Sequence, residues 1–219
     1  VAHGRISAKE TVMRTLLVFV LALLLSGCAL FETYRPDDYL TDKTYQRIVF
    51  EPIAAAPVGG MTLLLERAKT YCAKPGGIAV ALEVPATEAP RAWTIADLEK
   101  ARMRWRKLQP SAGTLVVSVL FVRGSFADDP ATAGYAFARD AFAIFVDVQQ
   151  QNKAPIQSVT VHEMGHLLGL VNQGSSMVHA HESKDGPGHC DNLACVMAPK
   201  APPQPFPDYD DNCKADLRR

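Results

Sequence analysis

The clearest pattern along the chain is an unbroken apolar run from Thr114 to Val122, rich in Val and Leu and without polar alternation. Such a run predicts a strand covered on both faces of a sheet, and it is the best candidate for a central strand. Upstream, Arg47 to Ile53 predicts a strand. Pro57, Gly59 and Gly60 then turn the chain into a helical stretch from Met61 to Cys72, which Lys74-Pro75-Gly76-Gly77 stops. Ile78 to Val84 predicts a second apolar strand, and Thr94 with Asp97 three residues later starts a helix reaching to about Leu108. Gly134 to Arg139 and Ala141 to Val148 predict two more strands, the first less apolar and therefore the better fit to a cleft-lining edge. Pro155 suits the first turn of a helix running through Val159, Val161, Leu167, Leu168 and Leu170. Beyond Val171 the periodicity ends in Gly, Ser, His and Pro, and Pro199 to Pro207 is proline-rich.

The N-terminal pattern is of another kind. Arg14 precedes an apolar run from Leu16 to Leu25, then Leu25-Ser26-Gly27-Cys28. The run is about half of the roughly 20 residues that span a bilayer, so residues 1–27 are expected to be a removed signal peptide, with Met13 as its start. Small residues before one Cys resemble the lipobox of bacterial lipoproteins, making Cys28 the lipidated first residue of the mature chain. The alternative is an ordinary signal peptide in which Cys28 is incidental. Residues 28–45 are polar, aromatic and aperiodic in their larger part, as suits a lipid-anchored tether or an arm on the domain surface.

Removing the leader leaves 192 residues, enough for one cored domain over residues 46–219. In that mature chain 20 basic residues face 22 acidic ones, a balance that calls for no nucleic acid. The expected location is extracytoplasmic, on a bacterial membrane facing the periplasm or envelope, and Ala29 after Cys28 leans towards the outer one. Cys72, Cys190, Cys195 and Cys213 then meet an oxidising environment, where thiols pair or bind metal, and they are expected to be structural.

His162-Glu163-Met164-Gly165-His166 carries the chemistry. Imidazoles four residues apart on a helix project from one face and can reach one ion, and Glu163 stands on the flank where its carboxylate can take a proton from water. Gly169, three residues after the second His, permits a conformation closed to other residues, so the chain can leave the helix and bring back a third ligand. This helix resembles that of the metzincins, whose signature is His-Glu-x-x-His-x-x-Gly-x-x-His followed by a turn containing Met. The upstream order of strands and helices is similar to that family's upper subdomain. The departure is Asn172 at the expected third ligand, since an amide is a poor substitute for imidazole at zinc.

Further on, His189-Cys190, four residues, Cys195-Val196-Met197 resembles the archaemetzincin pattern. That resemblance implies His189 as third ligand, Asn172 to Gly188 as an insertion, and Met197 as the methionine of the turn beneath the metal. His181, flanked by Glu182, is the alternative third ligand, ahead of His179 and Asn172. Archaemetzincins hold a structural zinc on four cysteines, but here the last pair reads Asp210-Asp211-Asn212-Cys213. A second zinc with Asp210 as fourth ligand stays open, whereas a Cys190–Cys195 or Cys72–Cys213 disulfide suits the exported location better and is favoured.

The resemblance implies an α+β metzincin-like fold: a mixed five-stranded sheet packed on helices, an active-site helix and an irregular C-terminal subdomain. It implies a Zn2+-dependent endopeptidase in which Glu163 is general base for a metal-activated water. The partner is a peptide or protein substrate lying extended along Gly134 to Arg139. Two rivals stay open. One is a gluzincin whose third ligand is acidic, such as Glu182 or Asp185; the other is a zinc-binding lipoprotein on a metallopeptidase-like scaffold without proteolytic activity. No Gly-rich phosphate loop and no Gly-x-Ser-x-Gly elbow occurs.

Overall fold

The computed structural model describes residues 34–200 and 207–218. The expected signal peptide, Cys28 and most of the proline-rich stretch lie outside the described residues. Among those described, no helix is long and apolar enough to cross a membrane.

A mixed sheet of six strands, one more than the five expected because the segment Ile78 to Val84 supplies two, organises the α+β domain. Its strands are β1 (Arg47–Ala54), β2 (Ile78–Val80), β3 (Val84–Pro85), β5 (Thr114–Val122), β7 (Gly134–Ala138) and β8 (Ala141–Phe145). The order is β2-β1-β5-β8-β7, with β3 beside the far end of β1. Every pairing is parallel except β7 with β8, which leaves β7 as an antiparallel edge. Two short strands, β4 (Arg91–Trp93) and β6 (Gly124–Phe126), form a separate parallel pair.

Strand β5 is central, as its composition predicts. Leu115, Val117, Val119 and Phe121 face a core shared with α2 (Met61–Tyr71) and α5 (Ile156–Leu167). Leu120 and Val122 face a second core with Trp93, Leu98 and Trp105, the last two on α3 (Ile95–Trp105). Burial on both faces is why no polar alternation survives in this strand. Thr94 caps α3 by accepting the Asp97 N–H at 3.1 Å, while the Thr94 N–H donates to the Asp97 carboxylate at 3.2 Å.

Three expectations need correction. The single strand Ile78 to Val84 is two, because after Val80 the Ala81 N–H still bonds Phe50 while Leu82 turns outward, 92% exposed. The strand Ala141 to Val148 ends at Phe145, and Val146–Gln151 is a short helix, α4. An apolar run cannot distinguish the two states, and here Asp147 is drawn to the Gly124 N–H at 2.8 Å, a contact no local pattern encodes.

The third correction concerns residues 34–45, which are core and not a surface arm. Pro36–Leu40 forms helix α1, and Tyr34, Tyr39, Leu40 and Tyr45 are buried. The Lys74 ammonium, itself 9% exposed, donates to the carbonyls of Asp38 and Tyr45 at 2.6 Å each and to that of Thr41. Burial lowers its pKa. A buried cation thus gathers three carbonyls, one from the helix, one from its C-cap and one from Tyr45 beyond it.

Candidate metal centre

Helix α5 is buried from Ser158 to Gly165, so its polar residues are held inside the domain. His162 and His166 stand one turn apart with their Nε2 atoms 3.1 Å from each other. His162 Nδ1 lies 2.7 Å from the Val196 carbonyl, which fixes its proton there and leaves the lone pair on Nε2, facing inward. His189 joins them: its ring centroid is 5.1 Å from each of the other two, and the three imidazoles offer ligand atoms within 4.8 Å of one another. Imidazole nitrogens bind zinc at about 2.0–2.1 Å, so nitrogens at these separations can share one ion. Burial lowers His162 to about 4 and, with the neighbouring rings, His166 well below its ordinary value, so both are neutral near pH 7 as ligands must be.

The chain leaves the helix through Gly169 at φ +75°. A side chain there would meet Pro36 of α1 at 2.4 Å and the Ser175 N–H nitrogen at 2.8 Å, so both conformation and space demand glycine. Val171 and Asn172 follow at positive φ, and Asn172 is exposed. His181, the alternative third ligand, does not join the cluster. It is 1% exposed, with Nε2 3.4 Å from an Asp216 carboxylate oxygen and 3.5 Å from Cys213 Sγ. His179 is exposed and offers its carbonyl to His181 Nδ1 at 2.7 Å. Glu182, the gluzincin candidate, accepts the Gly188 N–H at 2.7 Å and so braces the loop that carries His189.

Glu163 is 3% exposed and packs against the edge strand. A β-carbon on Gly134 would lie 2.6 Å from its Oε1, and the Ala136 N–H bonds its carboxylate. Burial raises its pKa to about 8, the Ala136 bond opposing the rise. A cleft opens on either side: one cavity of about 580 Å³ along Gly134 to Arg139, another of about 660 Å³ between Asp129, Asn152, Pro199 and Lys200. His162, Glu163 and His189 line both. Met197 is fully buried beneath α5, against Gly165.

A second cluster lies below. All four described cysteines are free thiols, so the favoured disulfides are not formed and the grouping is the one left open with Asp210 as fourth ligand. Cys190, Cys195, Cys213 and Asp210 place their ligand atoms within 4.8 Å of one another, with Cys195 and Cys213 sulfurs 3.7 Å apart. Asp210 caps α6 (Asp211–Leu217) by accepting the Cys213 N–H at 2.9 Å, which is what swings Cys213 to the other two. Hydrogen bonding among the thiols pushes Cys190 up to about 12 and holds Cys195 down to about 4. Three sulfurs and a carboxylate fit a thiophilic ion such as zinc. Cys72 stands outside the group, its thiol pushed up to about 12 by burial.

Sequence reasoning passed over the Val196 carbonyl and the Ala136 N–H, because backbone groups leave no residue-type signal, and it placed Gly134 in the cleft-lining strand without its contact to Glu163.

No family model matches the chain, and no curated protein does. Among solved structures, the crystal structure of archaemetzincin from Methanopyrus kandleri superposes with a TM-score of 0.50 at 12% identity, covering 81% of this chain and 96% of that one. At that identity the likeness shows the fold, a mixed sheet packed on helices.

Proposed function

We propose that the chain is a zinc-dependent peptidase that hydrolyses peptide bonds with Glu163 as general base. The observation that carries this is the meeting of three imidazoles with a buried carboxylate at the open edge of a sheet. His162, His166 and His189 would hold the ion, and Cys190, Cys195, Cys213 and Asp210 a second, structural one. Zinc, when bound by the histidines, supplies Lewis acidity that acidifies water and polarises a carbonyl.

The chain's own residues do the rest. Among the described residues strand β7 pairs on one side only, so an extended peptide can add to its outer edge through backbone hydrogen bonds. That places the scissile bond near Gly134, beside Glu163. Glu163 takes a proton on its carboxylate from the attacking water and delivers it to the departing amine. Burial raises the Glu163 carboxyl to about 8, which favours the protonated half of the shuttle, and the positive charge of a metal held beside it would favour the ionised resting form that a base needs. His162 keeps its Nδ1 proton on Val196 throughout, so its ring cannot turn. Anchoring through a lipidated Cys28 outside the cytoplasm completes the proposal.

The test is the Glu163→Gln protein, assayed for metal by elemental analysis and for cleavage against a peptide library. Retained zinc with cleavage reduced at least about 100-fold is expected. Undiminished cleavage would remove Glu163 as base. A metal-loaded wild type that cleaves nothing would leave a zinc-binding lipoprotein in place of the peptidase.

A further inference from the structure

His189 reaches its place from an irregular segment after residue 170, whose one sheet-like contact among the described residues is an isolated bridge between Glu182 and Cys190. Local turns steady it, the His189 N–H bonding Gly186 at 3.1 Å and its carbonyl accepting from Ser183 at 2.7 Å. The firm attachment comes one residue later. Cys190 is fully buried, donates its N–H to the Met197 carbonyl at 2.8 Å, and directs its sulfur to the Asp210 carboxylate at 3.4 Å.

The same cluster grips the opposite side of the histidine centre. Cys195 Sγ accepts the Met197 N–H at 3.4 Å and the Asp210 N–H at 3.3 Å. Val196, between Cys195 and Met197, carries the carbonyl that orients His162, and Met197 packs under Gly165. Thus His189, the Val196 carbonyl and Met197 each lie within two residues of a cluster cysteine.

Charge makes the link conditional. Three sulfurs and a carboxylate gathered within 4.8 Å suit one shared cation, which draws them together, and its removal lets them spread. Spreading moves Cys190 and Cys195, and with them His189 and Val196.

We infer that Cys190, Cys195, Cys213 and Asp210 are positioning residues for the histidine centre, so that metal in the thiol cluster sets the affinity of the histidines for theirs. The inference rests on the histidine centre proposed above and concerns its regulation.

Thiolate and imidazole ligation both give cobalt(II) visible bands, so the thiol site is first filled with spectroscopically silent cadmium(II), which prefers sulfur, and the visible bands of added cobalt then report the histidines alone. The experiment loads the full chain in this way, empties the thiol site of a second sample with p-hydroxymercuribenzoate, and titrates the visible bands of both against a competing chelator. A Cys72→Ser background removes the thiol outside the cluster. Cys213→Ser and Cys213→His are compared, with circular dichroism to check folding.

Emptying the thiol site, or Cys213→Ser, is expected to weaken cobalt binding at the histidines at least tenfold, whereas Cys213→His restores it and Cys72→Ser leaves it within about twofold. Unchanged histidine affinity with an empty thiol site overturns the inference, and the mercurial arm decides this even if Cys213→Ser fails to fold. Coupled metal sites in a protein that cleaves no peptide would uphold the inference and sink the peptidase. Wild type with no visible bands from the histidines sinks both.

Discussion

Gly165 rests on Met197 so closely that a β-carbon built on the glycine would lie 2.2 Å from the methionine sulfur. The contact joins the middle of the histidine-bearing helix to the turn that supplies Val196. In an exposed helix Gly to Ala gains about 1 kcal/mol, but overpacking a filled core costs about 1–3 kcal/mol. Met197 is fully buried and Tyr209 stands 3.1 Å away on the same spot, so the cost wins. Gly165→Ala is expected to lower the denaturation midpoint and weaken metal retention. A rise in midpoint would show that the helix floor is loose.

Acid should unfold the metal-free protein for a definable reason. The folded pKa of His162 is depressed from 6.5 to about 4, chiefly by burial, so above pH 6.5 the ring is neutral in both states. As pH falls below 6.5 the unfolded chain takes the proton first, and stability drops until the folded ring also titrates near 4. That is about 3 kcal/mol from His162, with His166 adding in the same direction. Glu163, raised from 4.5 to about 8, gains stability over the same window as pH falls, so the His162 contribution is measured by chemical denaturation of chelated Glu163→Gln protein at pH 7 and pH 4.5. Equal midpoints in that variant, or the same loss when His162→Phe is added, would exclude this origin.

Asp140 clamps the turn between β7 and β8 onto helix α3, pairing with Arg102 at 2.5 Å and Arg106 at 3.3 Å. Removing the shared carboxylate leaves Arg102 paired with Glu99 at 3.0 Å and Arg106 on the carbonyls of Leu108 and Val116, so Asp140→Ala is expected to cost about 1.5–3 kcal/mol, the worth of the charged hydrogen bonds lost. Arg102→Met should cost less, because Arg106 still compensates the carboxylate. Thermal denaturation of the two variants checks the order, and a larger loss for Arg102→Met would contradict it.

Much of this was readable beforehand, but unevenly. Strand β5 and helix α5 are long enough for their own side chains to decide them, and the spacing of His162 and His166 places both rings on one face. His189 is 23 residues from His166, and only the resemblance of its flanking cysteines pointed to it. Cysteine spacing could not reveal that Asp210, as a helix cap, carries Cys213 into a cluster with Cys190 and Cys195. Helix α1 escaped notice because Lys74, more than 30 residues away, is what holds it.

Lys74→Met should loosen that helix. Hydrogen bonds to a charged group contribute about 1.5–3 kcal/mol, and three carbonyls lose their donor together. Faster amide exchange over residues 36–46 and a drop of about 2 kcal/mol in stability are expected. Unchanged exchange would mean that the buried tyrosines alone hold the segment.

The dependence of the histidine site on the segment after residue 170 also bears on when such a protein could first act. A chain delivered N-terminus first would complete α5, with His162, Glu163 and His166, while His189 and the Val196 carbonyl were still to come. Tyr209, whose hydroxyl donates to the Val161 carbonyl at 3.0 Å, and Cys213 arrive later again. The proposed metal centre would therefore close among the last events of synthesis, and a chain cut off before Cys213 would lack the cluster that positions it.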